Sequence, residues 1–218
     1  MADTAPMLTL TVTAPDTLPI DKATALAVTS PRVADILNAH RQSAALKKLP
    51  VFAVGDRSAA AMREAGWTSV ASADGDVSDL ADLIRAHHTD GPILYPAALD
   101  RVGNLEGRLA AGGLTCLPIE VYRMDKVKNL PATIAERLGD RVYDRVLIYS
   151  QRTGEAFRDA AMAAGLEDTL RDVRVFAISA RAAVPLESVA CVTTAPYPTE
   201  NALLESALNI CKPKVSES

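Results

Sequence analysis

Residues 51–67 read VFAVGDRSAAAMREAGW, which joins an apolar run to an amphipathic stretch with the period of a helix. The run Val51–Val54 ends at Gly55 and Asp56, which are small or polar residues of the kind that start helices. A short run that is apolar on both faces is typical of a parallel strand covered by helices on both sides. The stretch therefore predicts one strand and one helix of a parallel α/β sheet.

The same pattern of strand and helix recurs along the chain. Five further apolar runs stop at a small residue or a proline: Leu26–Val28, Ile93–Tyr95, Val146–Tyr149, Val175–Ile178 and Cys191–Thr194. The order of these patterns repeats once, which indicates two copies of one unit. We predict an α/β fold with two similar parallel-sheet domains of the flavodoxin-like kind.

The two copies are unequal at their ends. The first copy continues from Ile93 with a strand, an amphipathic helix and a closing strand, which the second copy lacks. The candidate for the missing closing strand is Met7–Val12, at the other end of the chain. This predicts a discontinuous domain of residues 1–13 plus 123–218, a central domain of residues 14–122, and a two-stranded β connection joining them. The repeat calls for one more strand and helix before Met7, so we expect the discontinuous domain to lack them.

The composition of the 218-residue chain excludes several classes of function. Lys and Arg number 23 against 27 Asp and Glu, and a net charge of −4 is the wrong sign for coating a nucleic acid. The three cysteines are widely spaced, and CxxC, HExxH, GxGxxG and GxxxxGKS/T motifs are absent, so the sequence predicts no metal or nucleotide site. No apolar run approaches the roughly 18 residues of a membrane span, and the start lacks the pattern of a signal peptide. We expect a cytoplasmic protein with no membrane or nucleic-acid partner.

The turns that follow the predicted strands are rich in Thr, Ser, Gly and Arg. In open α/β sheets, ligands bind at the carboxyl ends of strands, where helix N-termini present free amides and positive charge. The candidate ligand-binding residues at these turns are Thr29, Ser30, Arg32, Gly55, Arg57, Ser58, Ala97, Arg101, Ser150, Arg152, Thr153, Ser179 and Arg181. Such a site favours an anionic small molecule. The alternative for each hydroxyl or glycine is a helix N-cap with no ligand role.

Several short segments, and the order in which they follow one another along the chain, resemble the uroporphyrinogen-III synthase family. The resemblance covers nearly the whole chain, and each piece is short, so it rests on the order of VTSPRVADI (28–36), FAVGDRSAAAMREAGW (52–67), GDVSDLADLI (75–84), IEVYR (119–123), VLIYSQRTGEAF (146–157) and FAIS (176–179).

The resemblance implies a fold, a reaction and a set of residues. It implies two α/β domains joined by a two-stranded connection, with the active site between them, and no need for a metal or organic cofactor. We also expect a monomer. The implied reaction closes the linear tetrapyrrole hydroxymethylbilane to uroporphyrinogen III, with inversion of ring D and loss of water. The family's tyrosine matches Tyr122, which is the implied acid or water-orienting group and whose alternative is packing alone. The family's hydroxyl-bearing turns match Thr29, Ser30, Ser58, Ser150, Thr153 and Ser179, whereas Ala182 stands where some relatives carry a threonine.

Two other functions stay open at this point. One is a shortened, non-catalytic relative that binds a tetrapyrrole or another anion. The other is a two-domain receptor for a sugar or an anion, which the absence of an export signal disfavours.

Overall fold

The computed structural model describes residues 2–101 and 103–209 of the chain. Its contacts divide the chain into two compact units. The central unit comprises residues 10–124, and the other unit comprises the described residues of 1–9 and 125–218. No helix among the described residues is long and apolar enough to cross a membrane.

The central unit alternates strands with helices, and a short 3₁₀ turn at Ile20–Lys22 precedes its first parallel strand. Its elements are β1 (Leu8–Val12), β2 (Ala25–Val28), α1 (Arg32–Ala39), α2 (Ser43–Leu46), β3 (Val51–Ala53), α3 (Asp56–Glu64), β4 (Val70–Ser72), α4 (Val77–His87), β5 (Ile93–Ala98), α5 (Leu105–Ala111) and β6 (Cys116–Lys126). The first and last strands of this set, β1 and β6, each run past the boundary of the unit.

The strands form one six-stranded sheet in the order β1-β6-β5-β2-β3-β4. The strands from β2 to β6 pair in parallel. At the β1 edge the Thr13 amide donates to the Val121 carbonyl, and the Val127 amide donates to the Met7 carbonyl. Residue numbers rise on one strand as they fall on the other, so β1 lies antiparallel to β6.

The strand order corrects one part of the predicted fold. Numbered from β2 to β6 along the chain, the parallel strands stand in the order 3-2-1-4-5. A flavodoxin-like sheet has the order 2-1-3-4-5, so the flavodoxin-like prediction is wrong for this sheet. The sequence pattern could not distinguish the two orders, because both need the same alternation of strands and helices. They differ only in which side of the preceding strand each new strand takes in the sheet. The winding reverses between β2 and β5, which are neighbours in the sheet.

The parallel strands are buried on both faces. Leu26 and Val28 pack with residues of α1 and α3, whereas Ala25 and Ala27 pack with residues of α4 and α5. All four side chains are fully buried. The alternation of side chains along β2 therefore anchors one layer of helices on each face, as parallel sheets require.

The other unit has a three-stranded parallel sheet among its described residues, in the order β7-β8-β9. Its elements are α6 (Ala132–Gly139), β7 (Arg145–Ile148), α7 (Gln151–Ala163), α8 (Glu167–Asp172), β8 (Arg174–Ala177), α9 (Ala180–Ala183), β9 (Cys191–Thr194) and α10 (Glu200–Asn209). Val175 and Ala177 face a core that includes Phe157 and Leu186, and Phe176 faces Leu203 of α10.

Candidate functional site

A pocket of about 490 Å³ opens in the central unit where the winding of the sheet reverses. It is lined by residues at the ends of β2, β3 and β5, at the start of α4, before and on α5, and in β6. These residues are Thr29, Ser30, Val54, Asp76, Val77, Ser78, Ala98, Asp100, Arg101, Gly103, Arg108 and Tyr122. The carboxyl ends of strands at such a switch point form the usual ligand crevice of open α/β sheets. The position of the pocket is therefore that of a small-molecule site.

One wall of the pocket carries a pair of hydroxyl groups. The Tyr122 hydroxyl donates a hydrogen bond of 3.0 Å to Oγ of Ser30. The ring of Tyr122 packs in the core with Val33 and Leu37 and is only 5% exposed, so the hydroxyl has a fixed position. A phenol held in this way can donate a proton to a group in the pocket or orient a water molecule there.

A second hydroxyl pair lies beside the first. Oγ1 of Thr29 is 3.0 Å from the hydroxyl of Tyr95, which is 1% exposed at the centre of β5. Burial raises the pKa of Tyr95 above its ordinary value, so this phenol stays protonated over the physiological range. Tyr95 thereby holds Thr29 at the wall of the pocket. The sequence prediction did not include Tyr95, whose position inside an apolar run reads as that of a core residue.

The start of α4 forms another part of the wall, and it is capped by its own residues. The Asp76 carboxylate accepts hydrogen bonds from the amides of Ser78 and Asp79, and the Asp79 carboxylate accepts one from the Asp76 amide. These amides, and to a smaller extent Arg108, hold the pKa of Asp76 below its ordinary value. Asp76 is therefore a fixed negative charge at the pocket.

Asp76→Ala is expected to loosen the first turn of α4, because the amides of Ser78 and Asp79 lose their acceptor. Their hydrogen exchange at neutral pH should become about fivefold faster. The lowered pKa means that this stabilisation is complete above the ordinary carboxyl pKa and is lost as the pH falls through the folded value.

Amide exchange measured by NMR checks this prediction. Asp76→Asn is the control, because it keeps a cap oxygen and should stay within about twofold of the wild type. Equal exchange in Asp76→Ala and the wild type would contradict the capping role.

Two arginines line the pocket, and their partners differ. Nε and Nη2 of Arg101 donate to Oε1 of Glu106 at 3.0 and 2.7 Å. Nη1 of Arg108 donates to Oγ of Ser78 at 2.7 Å. The sequence prediction included Arg101 but not Arg108, which lies within a helix and not in a turn after a strand.

Nine of the predicted site residues belong to the central unit, and the structure places four of them at the pocket: Thr29, Ser30, Arg101 and Tyr122. Arg32 and Arg57 are exposed in the first turns of α1 and α3, and Gly55 is the N-cap of α3. Ser58 and Ala97 are 3% and 2% exposed, and Ala98, not Ala97, lines the pocket.

The predicted residues of the other unit include helix caps. Oγ of Ser150 accepts from the Thr153 amide at the start of α7, and Oγ of Ser179 accepts from the Ala182 amide at the start of α9. Nε of Arg181 donates to Oε1 of Gln151 at 3.0 Å. The N-cap role, which was the alternative to ligand binding, is therefore observed for both serines. Arg152 is half-buried in the first turn of α7.

Among the described residues, no three His, Cys, Asp or Glu side chains lie close enough together to hold a metal ion. The polar groups of the pocket are the hydroxyl groups of Thr29, Ser30, Ser78 and Tyr122, the guanidinium-bearing Arg101 and Arg108, and the carboxylate-bearing Asp76 and Asp100.

The doubly wound sheet and its switch-point pocket define a small-molecule-binding α/β protein. The family model described as uroporphyrinogen-III synthase HemD matches residues 4–205, and the chain belongs to this family. It is an enzyme with a role in tetrapyrrole biosynthesis. No curated protein matches the sequence.

Solved structures of synthases have a similar fold. The uroporphyrinogen-III synthetase of Helicobacter pylori 26695 is 18% identical, with a TM-score of 0.64 over 94% of this chain and 91% of that one. A mutant uroporphyrinogen III synthase of the extremely thermophilic bacterium Thermus thermophilus is also 18% identical, with a TM-score of 0.48 over 94% of this chain and 86% of that one. At this identity, the first likeness supports the α/β fold with its parallel-rich sheet.

Proposed function

We propose that this chain closes hydroxymethylbilane to uroporphyrinogen III, with inversion of ring D and loss of water, and that the pocket between β2 and β5 holds the reacting end of the substrate. The observation that carries the proposal is the Tyr122 hydroxyl, which lines this pocket and is bonded to Ser30 at 3.0 Å. A proton donor of fixed position is what the departure of a hydroxyl group needs.

The first step breaks the C–O bond of the terminal hydroxymethyl group. Tyr122 donates its proton to the departing oxygen, water leaves, and the electron pair of the pyrrole nitrogen forms the azafulvene. The substituted α-carbon of ring D then attacks the exocyclic carbon of this azafulvene and gives a spiro intermediate. The bond from that α-carbon to the methylene group of ring C breaks, which leaves a second azafulvene on ring C. The other α-carbon of ring D attacks this azafulvene, closes the macrocycle and then loses its proton. The proton released when the pyrrole becomes aromatic again returns to the phenolate of Tyr122. Without substrate, this proton is donated to Oγ of Ser30. It turns to the departing oxygen when substrate is bound, and the Ser30 hydroxyl can then donate to the phenolate.

Binding of the substrate depends on guanidinium groups, hydroxyl groups and backbone amides. Hydroxymethylbilane carries eight carboxylates, which need positive charge and N–H donors. We assign binding roles to Thr29, Ser30, Arg32, Gly55, Arg57 and Arg101 in the central unit, and to Arg152, Thr153 and Arg181 in the other. Ser150 and Ser179 cap helices, and Ser58 and Ala97 are buried, so these four are given no binding role. Backbone amides at the ends of strands can bind carboxylates without a change of protonation.

We also propose that residues 14–122 and residues 1–13 plus 123–218 are two similar domains joined by a two-stranded connection, in a monomeric cytoplasmic enzyme. The support is that the boundaries of the two units, at 9/10 and 124/125, both fall within the paired strands β1 and β6. Such a connection lets the chain pass from one domain to the other and back.

The proposed reaction is tested by the isomer composition of the product. Hydroxymethylbilane incubated with the full chain is expected to give predominantly isomer III, whereas the spontaneous reaction gives isomer I. Isomers can be separated by chromatography after oxidation to the porphyrins. Isomer I alone, at the spontaneous rate, would overturn the proposal and would favour the non-catalytic tetrapyrrole-binding relative.

A further inference from the structure

The Arg108 side chain stands out among the charged groups of the pocket. Its guanidinium lines the pocket and makes one side-chain hydrogen bond, from Nη1 to Oγ of Ser78 at 2.7 Å. Within residues 2–101 and 103–209, it has no carboxylate within ion-pair distance. A guanidinium has five N–H donors, so most of the donors of Arg108 are available to a ligand.

Arg101, which lines the same pocket, provides the contrast. Two of its nitrogens bind one oxygen of Glu106, and the ion pair of 2.7 Å partly neutralises both side chains. A substrate carboxylate that approached Arg101 would compete with Glu106. Arg108 has no ion-pair partner of this kind among the described residues, and only the longer-range attraction of the Asp76 carboxylate opposes a ligand there.

One hydrogen bond, to Ser78, anchors the exposed Arg108 side chain at the pocket. Ser78 lies in the first turn of α4, where its amide is held by the Asp76 carboxylate. The Asp76 carboxylate attracts Arg108 electrostatically but binds the helix amides and not the guanidinium. Asp100 also lines the pocket and supplies a second negative charge. Since two carboxylates repel an anion, a positive group with unused donors decides where a substrate carboxylate can bind.

We propose that Arg108, oriented by Ser78, binds a carboxylate side chain of the substrate in this pocket. The inference rests on the proposed function for the identity of the substrate. The planar fork of the guanidinium matches the two oxygens of a carboxylate, and such charge-assisted pairs are among the stronger hydrogen bonds in proteins. Arg108 is a binding residue, so its loss affects affinity more than the rate of the bound substrate.

Arg108→Gln is expected to raise the KM for hydroxymethylbilane about tenfold, with kcat and the proportion of isomer III nearly unchanged. Arg108→Lys, which keeps the charge but loses the fork, should raise KM by about threefold. Arg41→Gln is the control for net charge, because Arg41 is exposed, lies outside the pocket and has no side-chain bond to any described residue. Its KM should stay within about twofold of the wild type.

A direct titration with uroporphyrinogen III, kept reduced, separates this inference from the proposed reaction because it needs no turnover. A Kd about tenfold higher for Arg108→Gln than for the wild type and Arg41→Gln supports the inference, even if the wild type makes no isomer III. An unchanged Kd and KM in Arg108→Gln would overturn it while leaving the reaction in place. A wild-type chain that neither binds uroporphyrinogen III nor makes isomer III would overturn both. Thermal unfolding of each variant shows that the fold is retained.

Discussion

Tyr122→Phe is expected to lower the rate of isomer III formation by about 10 to 100 fold. The substitution removes the hydroxyl that lines the pocket and leaves the buried ring, which packs with Val33 and Leu37, in place. The effect is moderate for a proton donor because an azafulvene forms readily. Much of the catalysis comes from holding the linear tetrapyrrole in a folded arrangement with its two ends close together. The change should fall on kcat, since the phenol acts on the departing hydroxyl group and is not assigned to bind a carboxylate.

The matched control for this variant is Tyr143→Phe. This substitution also removes a phenol hydroxyl that has a hydrogen-bond partner. The partner is Asp3, and Tyr143 does not line the pocket. Single-turnover measurement of both variants, with the isomers resolved, separates loss of the proton donor from a general effect of removing a phenol. An unchanged rate for Tyr122→Phe would remove Tyr122 from the mechanism.

Trp67→Ala is expected to destabilise the central unit by about 3 to 5 kcal/mol. The indole is 2% exposed, and its Nε1 donates to the buried carbonyl of Leu46 at 3.2 Å. The truncation leaves a cavity among the side chains of α1, α2 and α3, with which Trp67 packs. The midpoint of thermal unfolding of this unit should fall by roughly 12 to 20 °C.

The stability of the variant is best followed by circular dichroism, because Trp67 is the single tryptophan and its fluorescence is lost with it. Trp67→Phe keeps an aromatic ring and loses the hydrogen bond to Leu46, so its destabilisation should be about 1 to 2 kcal/mol. A loss below about 1 kcal/mol for Trp67→Ala would show that the site collapses around the missing ring.

The strands could be predicted from sequence because each one is a local signal. Val51–Ala53 is a short run of buried residues that ends near Gly55, and it pairs in register with both of its neighbours. The order of strands could not be predicted in the same way. After a helix, the next strand can join the sheet on either side of the strand before it. The amphipathic pattern of the helix is the same in both cases.

Thr29, Ser30 and Arg101 were predicted because they follow strands, and Tyr122 was predicted from the family resemblance; all four lie at the pocket, and their roles stay predictions. Ser30 and Tyr122 were both predicted, but their contact joins residues 92 positions apart, and strand β5 lies between their strands. The end of β5 carries the small side chain of Ala98, which pairs with Tyr122. Arg108 and Asp76 were missed because they belong to a helix and a helix cap, where exposed charges are common, and both are exposed at the pocket.

Hydrogen exchange with bound uroporphyrinogen III most directly tests whether the pocket between β2 and β5 carries the reaction. Residues 29–32 and 98–101 border the pocket, and their amides are expected to exchange more slowly when product is bound. The amino-terminal ends of the same strands, near Ala25 and Ile93, should not change and serve as the internal reference. Protection confined to other parts of the chain, with residues 29–32 and 98–101 unaffected, would contradict the assignment of this pocket as the substrate site.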